Sequence, residues 1–174
     1  MLSCIGYHGT KPENVDSILR NGYKMSKASS WFGVGIYFFG DLWPYFPGER
    51  EAIQWMLYVK NEDSWAVFVS EIESTNYFDM LGDISAREEF DEIKKELLKK
   101  HTQFGKDERY FKDNAVFELL ENTKHFSVIR ALVNARKSPH VGYVVSRPQV
   151  QICVKDISTI VSTKLTKTGQ RHAN

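Results

Sequence analysis

The stretch Ser30-Trp31-Phe32-Gly33-Val34-Gly35-Ile36-Tyr37-Phe38-Phe39-Gly40-Asp41 constrains the fold more than any other, because a flexible glycine pair runs directly into a short aromatic and β-branched segment. Gly33 and Gly35 accept backbone conformations and close approaches that a Cβ forbids, while Ile36 to Phe39 suit a pleated, half-buried surface. Strand alternation sends Tyr37 and Phe39 to one side and Ile36 and Phe38 to the other. An aromatic face beside bare backbone amides offers a flat polar ring a surface to stack on and hydrogen bonds at its edge. The same residues also read as a hairpin corner with a glycine-rich bulge.

The flanking chain predicts an α+β setting. Residues 2 to 7 read as a first strand that delivers Tyr7-His8-Gly9-Thr10 to a helix, signalled by Thr10-Lys11-Pro12-Glu13 in the form of a capping box, by Val15, Ile18 and Leu19 as an apolar stripe, and by a stop at Asn21-Gly22. That places His8 and Gly9 between a strand end and a helix N-terminus, where the imidazole and backbone N–H groups point into one cleft; a packed structural histidine is the competing reading. Trp43-Pro44-Tyr45-Phe46-Pro47-Gly48 is a loop, its prolines excluding regular structure and its aromatics lining a pocket or covering the core. Glu49 to Val59 is helical, with Ala52, Trp55, Met56 and Val59 on one face, and Ser64 to Ile72 is a long apolar strand.

Ser85-Ala86-Arg87-Glu88 opens a helix running to about His101, with Phe90, Ile93, Leu97 and Leu98 apolar and with Asp91/Lys95 and Glu96/Lys100 spaced as i,i+4 ion pairs on a solvated face. Asp113 caps a further helix, and strand-like runs follow at 127–133, 141–145 and 149–154. From Ser162 to Asn174 the chain is polar, with Lys164, Lys167 and Arg171 and no acidic residue, and is expected to fray. At 174 residues this is one domain, and a net charge of +1 from 23 basic and 22 acidic side chains gives no global field that announces nucleic acid or membrane. Cys4 and Cys153 stand far apart in apolar runs with no metal-ligand spacing, which reads as two reduced, buried thiols. No basic n-region or long apolar segment is present, so the expected setting is soluble and cytoplasmic.

Taken together, Tyr7-His8-Gly9-Thr10, then Gly22-Tyr23 after a short helix, then Gly33-Val34-Gly35-Ile36-Tyr37-Phe38, resemble the ADP-ribosyltransferase fold of the poly(ADP-ribose) polymerase type. A late strand, Gln149-Val150-Gln151-Ile152-Cys153-Val154, falls where that family carries its third signature residue, usually a glutamate. The resemblance implies a split mixed β-sheet core with flanking helices. It divides the chain into an ADP-ribosyltransferase-like domain over 1–161, with a helical insertion at about 82–123, and a polar basic tail over 162–174.

Carried over to this chain, the resemblance implies that His8 hydrogen-bonds the 2′-hydroxyl of the ribose next to nicotinamide in NAD, that Gly9 backbone groups hold the carboxamide, and that Tyr37 stacks on the nicotinamide ring. Thr10 and Gly35 complete the implied NAD contacts, and Gln151, with Gln149 as the alternative, takes the third position. NAD is then a substrate, cleaved at the nicotinamide–ribose bond through an oxocarbenium-like state, with no metal needed. With glutamine in place of the usual carboxylate, transfer of a single ADP-ribose is expected rather than polymer growth. The implied acceptor is a macromolecule, a protein or a single-stranded nucleic acid. The analogy to small free-standing members extends to a toxin or phage-defence effector with an antitoxin or inhibitor protein as partner. Two other classes share these residues: an inactive NAD- or ADP-ribose-binding module, and an NAD-dependent RNA 2′-phosphotransferase, for which the basic candidates are Lys11, Arg20, Lys24 and Lys27.

Overall fold

The first strand sets the frame. In the computed structural model, which describes residues 1–26, 31–42, 46–134 and 148–171, β1 (Leu2–Thr10) runs three residues further than expected. It does so because β3 (Ser64–Ser74) pairs along its whole length, from Leu2↔Ser74 to Thr10↔Ala66. His8 and Gly9 therefore lie inside a strand, not in the turn before a helix, and Thr10 is its last residue rather than a helix cap. A 3₁₀ turn at Pro12–Asn14 leads into α1 (Val15–Asn21); its N-cap is Lys11, without a side-chain cap bond, and Thr10 Oγ1 accepts from Asn14 Nδ2 (3.0 Å) instead. Helix α1 ends at Gly22 (φ 72°), whose N–H donates to the Ile18 carbonyl.

Strand β2 (Ile36–Gly40) sits beside β1, and the sheet is completed by β4 (Tyr77–Asp79), β5 (Val128–Asn134), β6 (Pro148–Val154) and β7 (Ile160–Gln170). The seven strands run in the order β4-β5-β6-β2-β1-β3-β7, mixed because β4 and β5 are parallel while the other neighbours are antiparallel. The pairing is uneven. Strand β2 keeps register with β6 from Ile36↔Val154 to Gly40↔Val150, but meets β1 in register only at Tyr7↔Phe39. The sheet is thus two well-paired halves joined at a seam.

Helices cover the sheet in two groups. On one side α1 packs Val15 and Ile18 against a core of Tyr23, Ile36, Phe38, Phe68, Ile72 and Ile152. On the other, α2 (Gly48–Gln54), continued by a π turn at Trp55–Val59, packs Ala52 and Met56 onto Phe39 and Val67. That same side also receives α3 (Ile84–Gln103) and α4 (Asn114–Lys124), whose Phe90, Val116, Phe117 and Leu120 enclose Phe32, Ile129 and Cys153.

Several local expectations change. Helix α3 begins one residue earlier, at Ile84, because Asp83 is the cap: its Oδ1 accepts from the Ser85 N–H at 2.9 Å. Asp91/Lys95 and Glu96/Lys100 make no salt bridge among the described residues; the two helices are tied instead by Lys94–Asp113 (2.8 Å) and Lys124–Glu89 (2.5 Å). Gly48 opens α2 rather than closing a loop, helped by Asp41 Oδ1, which accepts from its N–H at 2.7 Å. The residues expected to fray from Ser162 onward form most of β7, paired with β3 from Ile72↔Ile160 to Ser64↔Gln170. Both cysteines are free thiols, Cys153 buried and Cys4 half-buried. Ser30, Trp43, Pro44, Tyr45, the expected strand at 141–145 and the terminal residues His172 to Asn174 lie outside the described residues.

Candidate functional site

Strand β2 leaves the glycine stretch as its alternation requires. Phe38 is buried on the α1 side, while Tyr37 and Phe39 point to the α2 side. Gly33 takes φ 82°, the left-handed region that favours glycine, and this turns the chain back so that the Tyr37 hydroxyl donates to the Gly33 carbonyl (2.7 Å) and accepts from the Phe32 N–H (3.1 Å). Phe32 lies parallel to the Tyr37 ring at 6.1 Å. Gly35 is needed for another reason: a Cβ there would meet the Cys153 sulfur and stand 2.9 Å from the Val154 carbonyl oxygen. The Gly35 N–H donates to Ser26 Oγ (3.4 Å). Lys155 clamps the same turn, its largely buried ammonium donating to the Val34 carbonyl (3.2 Å) and to Glu121 Oε2 (2.5 Å) on α4.

His8 occupies the seam. Its ring packs edge-on against Tyr23 (5.0 Å) and Phe38 (5.7 Å), on the α1 side, and its Nδ1 lies 2.8 Å from the backbone carbonyl oxygen of Tyr37. A carbonyl only accepts, so Nδ1 carries the proton and donates. Where the β1–β2 ladder has parted, a side chain thus makes the cross-strand bond. Burial pushes the His8 pKa below its ordinary value, opposed in part by the bond to Tyr37. The ring is then neutral near pH 7 and presents Nε2 as a lone-pair acceptor.

Gly9 pairs with Val67, and a Cβ on it would lie 2.6 Å from the Ala52 carbonyl oxygen, so its bareness lets α2 rest on β1. Thr10 is buried and occupied with Asn14.

Gln151 stands opposite Phe39 on one neighbour and Ala131 on the other, at the boundary between the α2 cluster and the α3/α4 cluster. It is 8% exposed, and its Oε1 has no hydrogen-bond partner among the described residues. A buried carbonyl oxygen without a donor is costly, of the order of 1–3 kcal/mol, and so marks a place where a donor belongs. Gln149, two residues earlier on the same side, donates from Nε2 to Glu51 Oε2 on α2. The structure therefore brings Tyr37, Gln149 and Gln151 to one face, and connects His8 to them through the backbone of Tyr37 and not by a shared face.

Glu51 was not singled out by the sequence. It is 1% exposed, a carboxylate turned inward from α2. Its signal is positional: four residues before Trp55, it continues the inward stripe where a solvated charge does not belong.

Among the described residues no group of three or more His, Cys, Asp or Glu is arranged to hold a metal ion, and no helix is long and apolar enough to cross a membrane. Of the basic residues near the N-terminal motif, Lys11 pairs with Glu62 (3.0 Å) and Arg20 with Asp16 (3.6 Å). No protein-family model matches the chain, and no curated protein matches it in sequence.

Proposed function

We propose that the chain is an NAD-dependent ADP-ribosyltransferase of the poly(ADP-ribose) polymerase-like fold, which cleaves the nicotinamide–ribose bond and transfers one ADP-ribose to a protein or single-stranded nucleic acid. The observation that carries the reading is the seam between β1 and β2. Past Tyr7↔Phe39 the strands part, His8 bridges them with its tautomer fixed, and on the opposite side of β2 the Tyr37 ring shares a face with Gln151, whose oxygen is unpartnered. On the α1 side His8 Nε2 is an acceptor suited to a ribose hydroxyl, and on the α2 side Tyr37 offers a ring to stack on, on the face that also carries the buried Gln151 oxygen.

In this reading Tyr37 supplies the ring that stacks on nicotinamide and His8 Nε2 the acceptor for a ribose hydroxyl, each from its own side of β2. The bond from nicotinamide to the ribose then breaks, its electron pair leaving with a neutral molecule, and the oxocarbenium-like ribose is captured by the acceptor. Orientation and exclusion of water carry most of the rate. Gln151 hydrogen-bonds the sugar or the acceptor but cannot remove a proton, which favours a single transfer. A cytoplasmic effector acting as a toxin or in phage defence, held by an antitoxin or inhibitor protein, belongs to the same proposal.

The test is incubation of the purified chain with NAD labelled in the adenylate part, alone and with cell lysate. Nicotinamide release and label on a macromolecule are expected. Loss of that label to protease or to nuclease names the acceptor class, and mass spectrometry should find one ADP-ribose per site. The glutamine at position 151 also admits an inactive NAD-binding module; NAD binding without nicotinamide release selects it and overturns the transferase reading.

A further inference from the structure

The connection from α3 to α4 gathers charge that the chain as a whole does not carry. Residues 99–112 hold five basic side chains against two acidic, while the rest of the chain holds 18 basic against 20 acidic. Lys99, Lys100, Lys106 and Lys112 are exposed and make no salt bridge among the described residues. Arg109 and Asp107 neutralise each other at 2.5 Å, and Asp113, just beyond, is paired with Lys94 at 2.8 Å, which leaves Glu108 as the one opposing carboxylate of the segment. Two large rings stand among these ammonium groups, Phe104 at 82% and Tyr110 at 74% exposure.

The rings are displayed by a built turn. Phe104 closes α3; beyond it the Gly105 N–H donates to the Thr102 carbonyl (2.9 Å) and the Lys106 N–H to the His101 carbonyl (3.2 Å), with Gly105 at φ 72°, the paired bonds that end a helix at a left-handed glycine. His101 Nε2 donates to the Asp107 carbonyl (3.1 Å), and its ring meets Phe111 edge-on at 5.7 Å. Asp107 Oδ1 then accepts from the Arg109 N–H (2.9 Å) and opens a 3₁₀ turn at Glu108–Tyr110. Phe111 is the ring of this segment that packs against the α3/α4 core, while Phe104 and Tyr110 remain in water on a backbone that is held. Rings that contribute nothing to the core, set among ammonium groups, match a ligand that brings flat faces and negative charge together.

We propose that this end of the α3–α4 pair binds single-stranded nucleic acid, with bases stacked on Phe104 and Tyr110 and phosphates met by Lys99, Lys100, Lys106 and Lys112. An unpaired strand offers base faces along a charged backbone, whereas a duplex hides those faces in its own stack and an acidic polypeptide brings the charge without the rings. The surface lies about 20 Å along α3 from Phe90, through which that helix reaches Phe117 and the cluster around Phe32, so it is separate from the Tyr37 face. The inference goes beyond the transferase reading and does not need it, because binding here requires no NAD.

The experiment measures fluorescence anisotropy of a labelled oligo(dT) of about 15 nucleotides, near the upper site size of such surfaces, titrated with the full chain in the absence of NAD. The matching duplex and poly-glutamate serve as competitors. Binding of the single strand is expected, weakening by about fiftyfold between about 50 and 200 mM salt if four phosphates are met, with each single Lys→Gln change among the four lysines flattening the logarithmic salt slope by about 0.7. Phe104→Ala and Tyr110→Ala should each weaken binding by about five- to a hundredfold at an unchanged melting temperature. Phe104→Leu and Tyr110→Leu keep apolar bulk without a ring and should weaken it nearly as much; should an alanine variant lose its fold, the leucine variant at the same position decides. No binding at about 50 mM salt overturns the proposal, as does affinity that survives loss of both rings. A duplex or poly-glutamate that competes as well as the single strand also overturns it, and the latter outcome assigns the surface to an acidic protein instead.

Discussion

Tyr37→Phe separates the two tasks that the structure gives this residue. The ring faces the α2 side and lies parallel to Phe32, while the hydroxyl ties the glycine turn by donating to the Gly33 carbonyl and accepting from the Phe32 N–H. Removing the oxygen leaves a carbonyl and an N–H without this partner, in a place where Phe32 is 1% exposed. A buried backbone group stripped of its partner costs about 1–3 kcal/mol, and the more open Gly33 carbonyl recovers part of that from water, so about 2 kcal/mol is expected in total. For a chain of this length that corresponds to roughly 4–8 °C in melting temperature. Urea unfolding should show a lower midpoint with an unchanged slope, and the Phe32 amide should exchange its hydrogen faster. NAD affinity should fall much less than in Tyr37→Ala, where loss of the stacking ring removes about 1–3 kcal/mol of binding, or about one to two decades. An unchanged urea midpoint in Tyr37→Phe refutes the reasoning, because the hydroxyl would then not be holding the turn.

Two further outcomes follow from neighbouring residues. Burial places the folded-state pKa of His8 below its ordinary value of 6.5, so the unfolded chain binds the extra proton first; the contribution of neutral His8 to stability is complete above pH 6.5 and is lost as the pH falls from there toward the folded value. Urea midpoints between pH 7.5 and 5 should therefore decline in the parent and decline less in His8→Gln; equal slopes count against a neutral buried imidazole. Gly35→Ala forces a methyl group onto Cys153 and to 2.9 Å from the Val154 carbonyl oxygen, and should destabilise by several kcal/mol through the β2–β6 ladder, on the order of the worst overpacking changes. A melting temperature within a degree or two of the parent would show that β2 and β6 are not this close.

The sequence announced the parts of the fold whose reasons are local. Alternation in Ile36-Tyr37-Phe38-Phe39 carries the direction of each side chain of β2, and the apolar runs of β3, β5 and β6 declare themselves by β-branched and aromatic content. What stayed hidden depends on distant partners. Thr10, Pro12 and Glu13 spell a helix start, yet pairing with Ala66, Val67 and Phe68 keeps Thr10, Gly9 and His8 in β1, so a long-range ladder overrides a short-range cap. Asp83 and Ser85 are both good caps for α3, and only the bond between them shows that Asp83 serves, so the helix opens one residue ahead of Ser85. Glu51 continues the inward stripe of α2, but its partner Gln149 lies 98 residues away and no local pattern announces it.

Strand β7 carries a consequence for how the chain behaves in company. It is the outermost strand, eleven residues long, at the end of the sheet opposite the short β4. A long open edge is a template on which another chain adds by backbone hydrogen bonding, the first step toward aggregated sheets. Here the edge carries the exposed ammonium groups of Lys164 and Lys167, and its register with β3 breaks twice, between Val67 and Phe68 and between Glu71 and Ile72. An incoming strand must desolvate those charges and match an irregular backbone. The polarity that made these residues look like a loose tail thus discourages the protein from building fibres out of its own sheet.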